Sequence, residues 1–193
     1  MKIGVLAVQG AFIEHERIIK ALGADCVEIR QKADLEGIDG IILPGGESTV
    51  QGKLLRKLDM LDTLKEMIAN GLPTLATCAG FILLSEKIEN DDTVHIGTMP
   101  VTIKRNAYGR QISSFTTTGS LTGLNDIPMV FIRAPFVENV EDGVEVLSEI
   151  DGHIVAAQYK NQIGLSFHPE LTKDYRIHQM FIDLVKQQKR HAA

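Results

Sequence analysis

Cys78 is the residue of this chain best suited to covalent chemistry. It ends the run Leu75-Ala76-Thr77, which reads as a buried strand, and precedes Ala79-Gly80-Phe81, where a helix is predicted to begin. A nucleophile on a sharp strand-to-helix turn is lifted above the carboxyl end of a sheet, and the turn needs small neighbours such as Ala79 and Gly80. The helix N-terminus also favours a thiolate. A buried structural cysteine fits the same stretch, and the turn alone leaves the two readings level.

A thiol nucleophile needs a base, and the base needs an orienter. Ser166-Phe167-His168-Pro169-Glu170 offers both, because side chains two apart in extended chain share a side. Pro169 keeps His168 out of the helical region. The preceding apolar run ends a strand there, where the catalytic groups of open α/β sheets collect. Read blandly, His-x-Glu is a surface turn or half a metal site, but no third ligand has suitable spacing and no metal is expected.

A third stretch is Leu43-Pro44-Gly45-Gly46-Glu47-Ser48-Thr49. Paired glycines after a strand let backbone N–H groups approach an oxyanion, so the N–H groups of Gly46 and Ala79 make a candidate two-donor hole. A plain tight turn is the competing reading. No Gly-Lys-Ser/Thr follows, and the chain holds no Gly-x-Gly-x-x-Gly, so neither a phosphate loop nor a dinucleotide site is indicated.

These residues need a scaffold. The chain has 193 residues, which suits a single domain over 1–193. Its 20 basic and 25 acidic residues give a net charge of −5, which argues against nucleic-acid or membrane-surface binding. Two cysteines without metal or disulfide spacing, together with no long apolar run, lead to an expectation of a soluble, cytoplasmic protein.

Strands are expected at 2–8, 26–30, 40–43 and 73–77, alternating with helices in a parallel α/β pattern. One helix is expected from Leu54 to Ala69, with a break near Asp59. The later part reads as β at 101–105, 111–118, 129–134, 153–159 and 162–167, with a hairpin turn at Lys160-Asn161. A final helix runs from about Asp174 to Lys189. The sheet should be parallel at its centre and antiparallel towards one side.

With these motifs in view, the sequence resembles the class I (triad) glutamine amidotransferases, and within them the branch that serves pyridoxal 5′-phosphate synthase. The matching stretches are Ile3–Gly10, Leu43–Thr49, Thr77–Gly80, Arg105–Gln111, Phe131–Pro135 and Ser166–Leu171, in family order over nearly the whole chain. Tyr108 stands where phenylalanine is common, and Phe81 where methionine is common. The resemblance implies a three-layer, flavodoxin-like α/β sandwich. It also implies that Cys78 attacks the carboxamide of L-glutamine, that His168 moves the proton and that Glu170 holds the imidazole.

Glutamine would rest on Gly46, Glu47 and Ser48, with Arg105, Ile132 and Arg133 in contact. No cofactor is implied. Ammonia would pass to a synthase subunit making pyridoxal 5′-phosphate (vitamin B6), and docking of that partner would complete the oxyanion hole by rotating the Gly45–Gly46 peptide. The same triad also serves γ-glutamyl hydrolysis or ammonia supply to another synthase, and a non-catalytic scaffold is the third alternative. His15, on the first helix with Glu14, Glu16 and Arg17, reads as a solvated or docking residue. His95, His153, His178 and His191 have no partner motif, and Cys26 reads as core.

Overall fold

The computed structural model describes residues 1–105 and 114–192. The first part alternates: β1 (Lys2–Leu6), α1 (Phe12–Ala21), β2 (Asp25–Ile29), β3 (Gly40–Leu43), α2 (Ser48–Lys57), α3 (Leu61–Ala69), β4 (Thr74–Thr77) and α4 (Ala79–Leu84). Strands then follow one another: β5 (Ser85–Ile88), β6 (Met99–Lys104), β7 (Ser114–Leu121), β8 (Leu124–Ile132), β9 (Phe136–Val140), β10 (Glu145–Ile150), β11 (His153–Tyr159) and β12 (Gln162–Leu165). A 3₁₀ turn at Pro169–Leu171 leads to α5 (Arg176–Ala192).

The main sheet runs β2-β1-β3-β4-β12-β11-β9-β6-β5, with β10 pairing β11. From β2 to β12 every pairing is parallel. From β12 through β11 and β9 to β6 the pairings are antiparallel. The expected parallel centre with antiparallel additions is therefore what the chain forms. β7 and β8 make a separate two-stranded ribbon.

The central strands are short apolar runs buried on both faces, as strands covered by helices on two sides must be. Alternation divides their side chains. Ile42, Leu75 and Ile163 join one core with α1, α5 and the β7–β8 ribbon, whereas Ile41, Leu43 and Ala76 join the other with α2, α3 and α4. Three layers result. Phe81, Phe167 and Phe181 are fully buried, each worth about 1.5–3 kcal/mol of transfer free energy.

Some of the expected element bounds need correcting. The helical stretch 54–69 divides near Asp59, as expected. Its start was misplaced because the Glu47 carboxylate accepts from the N–H groups of Thr49 and Val50 and so begins α2 at Ser48. Asp59, at φ 55°, breaks the chain between α2 and α3. The short strands β5, β9 and β10 were missed, and β8 begins at Leu124 because Thr122-Gly123 turns the ribbon, with Gly123 at φ 80°. Residues 111–113 of the expected strand 111–118, and the Tyr108 motif, lie outside the described residues. Among the described residues no helix is long and apolar enough to cross a membrane.

Candidate active site

Cys78 stands between β4 and α4 at φ 47°, ψ −103°, a conformation that costs a side-chain-bearing residue energy and that the surroundings must impose. Its N–H donates to the Leu165 carbonyl at 2.7 Å, tying the turn to β12. The two neighbours that make this possible are glycines. A Cβ on Gly80 would lie 2.0 Å from the Leu43 carbonyl oxygen, and one on Gly164 would lie 2.2 Å from the Phe81 ring. Absence of both Cβ atoms lets α4 settle directly on β3 and β12. Cys78 is only 7% exposed, yet it borders a cavity.

His168 follows β12 and is positioned by its N–H, which donates to the Val130 carbonyl at 2.8 Å. Pro169 opens the 3₁₀ turn that brings Glu170 back beneath the ring. His168 Nδ1 lies 2.7 Å from Glu170 Oε1. Burial by itself pulls the imidazole pKa down, but the neighbouring Cys78 and Glu170 side chains outweigh it and push the value up to about 10. Burial likewise opposes the Glu170 carboxylate, yet His15 and His168 hold it below the usual carboxylate range.

The third wall is the loop after β3. Thr77 Oγ1 accepts the Gly45 N–H at 3.0 Å, and the Ala11 N–H donates to the Gly45 carbonyl at 3.0 Å. Gln9 Oε1 accepts the Glu47 N–H at 2.9 Å. Gly45 is bare against the histidine, since a Cβ there would sit 2.4 Å from His168 Cε1.

A cavity of about 490 Å³ lies between these walls. Of the residues the sequence nominated, it is lined by Cys78, His168, Gly46, Glu47, Ser48, Ala79, Arg105, Ile132 and Arg133. Glu170 alone stands behind, screened by His168. Arg105 is half engaged, with Nη2 on Asp91 Oδ2 at 2.6 Å and Nη1 donating to Thr49 Oγ1 at 3.4 Å. Arg133 holds a left-handed conformation at φ 43°. Among the described residues no group of three or more His, Cys, Asp or Glu is placed to hold a metal ion.

His15 contradicts the reading from sequence. It is fully buried, and its Nε2 lies 3.5 Å from Glu170 Oε2. Its charged neighbours in the chain suggested a solvated face, but His15 itself points to the sheet side of α1, as do Ile18 and Ile19 one turn later. His178 is also fully buried and lies against it. Gln9 and Thr77 were not nominated, although both fall within the stretches that carry the resemblance. Cys26 is half-buried, and burial pushes its thiol up to about 11, so it stays protonated at neutral pH.

The SNO glutamine amidotransferase family matches residues 5–187. Pyridoxal 5'-phosphate synthase subunit PdxT of Desulfitobacterium hafniense (strain Y51) is 58% identical over 190 residues, which cover 98% of this chain and 96% of that one. The protein of the same name from Streptococcus pneumoniae is 50% identical over 191 residues, 97% of this chain and 99% of its own. A crystal structure of a glutamine amidotransferase superposes with a TM-score of 0.92 at 40% identity, covering 95% of this chain and 98% of that one. A glutamine amidotransferase from Thermotoga maritima, at 14% identity and a TM-score of 0.64, shares the fold over 100% of this chain and 85% of its own. By the length and identity of these matches, the chain belongs to the SNO glutamine amidotransferase family.

Proposed function

We propose that this chain hydrolyses L-glutamine to L-glutamate and ammonia at Cys78, and that the ammonia serves a pyridoxal 5′-phosphate synthase partner. The observation that carries the reading is the meeting of Cys78, from the β4–α4 turn, with the His168–Glu170 pair, from the end of β12, on one cavity. The thiolate adds to the carboxamide carbon of glutamine. The resulting oxyanion is held by the N–H groups of Ala79 and Gly46. Collapse breaks the C–N bond, and the leaving nitrogen takes a proton from the His168 imidazolium and departs as ammonia. Neutral His168 then removes a proton from water, which attacks the γ-glutamyl thioester and releases glutamate and the thiolate.

Glu170 keeps the imidazole oriented and charged between steps. Arg105 and Arg133 suit the substrate carboxylate, with the fork of Arg105 steered by Asp91. The Gly45 carbonyl is anchored to Ala11, on the segment entering α1. A partner docking on that segment would therefore act on the Gly45–Gly46 peptide and on the hole it helps to form. Two free cysteines suit a reducing cytoplasm.

The test is glutamine hydrolysis by the complex with the synthase subunit, comparing the parent chain with Cys78→Ala. Loss of hydrolysis with the complex intact is expected. Hydrolysis retained by Cys78→Ala would overturn the reading. Efficient cleavage of γ-glutamyl peptides by the isolated chain would redirect it to another substrate.

A further inference from the structure

Glu170 uses only one oxygen on His168. The other, Oε2, is inaccessible to water and has no hydrogen bond of standard geometry among the described residues. The group facing it is His15 Nε2 at 3.5 Å, and Thr77 Oγ1 lies 3.3 Å from the same nitrogen. Behind His15, its Nδ1 meets His178 Nε2 at 2.9 Å, and His178 Nδ1 has no partner among the described residues. Burial holds both imidazoles below the ordinary histidine range, so both are neutral at pH 7.

Counting donors assigns the protons. If His15 carried its proton on Nδ1, it would donate to His178 Nε2. His178 would then bear an N–H on Nδ1, buried with nothing to accept it, and a His15 lone pair would face the lone pairs of Glu170. An orphaned buried donor of this kind is costly. With the proton of each ring on Nε2, His178 donates to His15, and His15 points its N–H at Glu170 Oε2, shared with Thr77 Oγ1. No ring donor is then left over.

We infer that His15 is a positioning residue for the triad, a neutral N–H donor that keeps the free oxygen of Glu170 ionised and in place, with His178 fixing its tautomer. An apolar residue at this position would leave half a carboxylate buried without a partner, and the carboxyl would take up a proton instead. A protonated Glu170 no longer holds the His168 imidazolium. The titratable groups that face the pair are His168 and, through it, Cys78, together with His178 from α5 and Glu14 from α1. His15 does not line the cavity, so it acts on the triad and not on bound glutamine.

This inference rests on the proposed triad and is tested by the pH profile of glutamine hydrolysis by the synthase complex. The amide nitrogen of glutamine can overlie Nε2 of histidine, whereas that of asparagine reaches only the position of Nδ1. His15→Asn should therefore move the acid limb of kcat/KM upward by roughly one pH unit, with kcat at any given pH on that limb about tenfold lower and KM little changed. His15→Gln should stay close to the parent. Both variants keep a polar group, and urea denaturation checks that each is folded. Identical profiles for Asn, Gln and parent, or an equal loss in both variants with no movement of the limb, would overturn the inference. Hydrolysis retained by Cys78→Ala in the same assay would instead bring down the triad itself.

Discussion

Gly164→Ala probes the contact that joins the nucleophile's helix to the strand carrying the histidine. The added Cβ would lie 2.2 Å from Cδ2 and Cε2 of Phe81, whose ring is fully buried. Carbon atoms in contact rest near 3.5 Å, so the ring must retreat by about 1.3 Å. A close-packed interior offers no such space, and overpacking of this kind costs about 1–3 kcal/mol. A rigid ring pinned on all sides belongs at the upper end. Phe81→Leu alone loses buried area and leaves a void, costing about 1–2 kcal/mol. In the double variant the smaller side chain makes room for the methyl group, so the two changes should fall short of additivity by about 1–2 kcal/mol.

Urea denaturation followed by far-ultraviolet circular dichroism measures all four proteins, as the chain has no tryptophan to report by fluorescence. Because Phe81 and Cys78 share the first turns of α4, displacement of the ring also shifts the thiol. A misplacement near 1 Å costs roughly 100-fold in rate, falling on kcat more than on KM. A Gly164→Ala protein as stable as the parent, or strict additivity in the double variant, would refute the packing argument.

Two further outcomes are expected from capping and from buried charge. Glu47→Ala removes the acceptor for the N–H groups of Thr49 and Val50, and should lower stability by about 1 kcal/mol in the same denaturation assay. Stability should also peak near neutral pH. His15 and His178 have lowered pKa values, so the unfolded chain binds their protons first and their contribution fades as pH falls below 6.5; Glu170 adds to this loss as pH falls through its own depressed value. His168 works in the opposite direction, being fully stabilising below 6.5 and losing that effect as pH climbs towards about 10. Denaturation midpoints that keep rising from pH 6.5 down to pH 4.5 would contradict this assignment.

Much of the molecule was legible in its residues. Continuous apolar runs such as Gly40–Leu43 announce strands buried on both faces, because only an α/β sheet covers a short strand twice. Cys78 between small residues, His168 before a proline and the paired glycines after β3 each carry a local signature, since each needs a particular backbone there. Those signatures do not say that the three stretches meet. That depends on β12 entering the sheet beside β4, a pairing between distant segments that no local pattern encodes.

The short strands β5, β9 and β10 escaped for the same reason: their pairing, more than their composition, makes them strands. His15 is the sharpest case. From sequence its charged neighbours suggest water, but a helix rotates each residue by a fixed step, and only the docking of α1 against the sheet decided which side went in. The residues by themselves determined the chemistry available and the layered sheet to carry it. The tertiary structure decided which imidazole faces the thiol and which one lies buried behind the carboxylate, because burial and proton placement depend on neighbours that arrive from elsewhere in the chain.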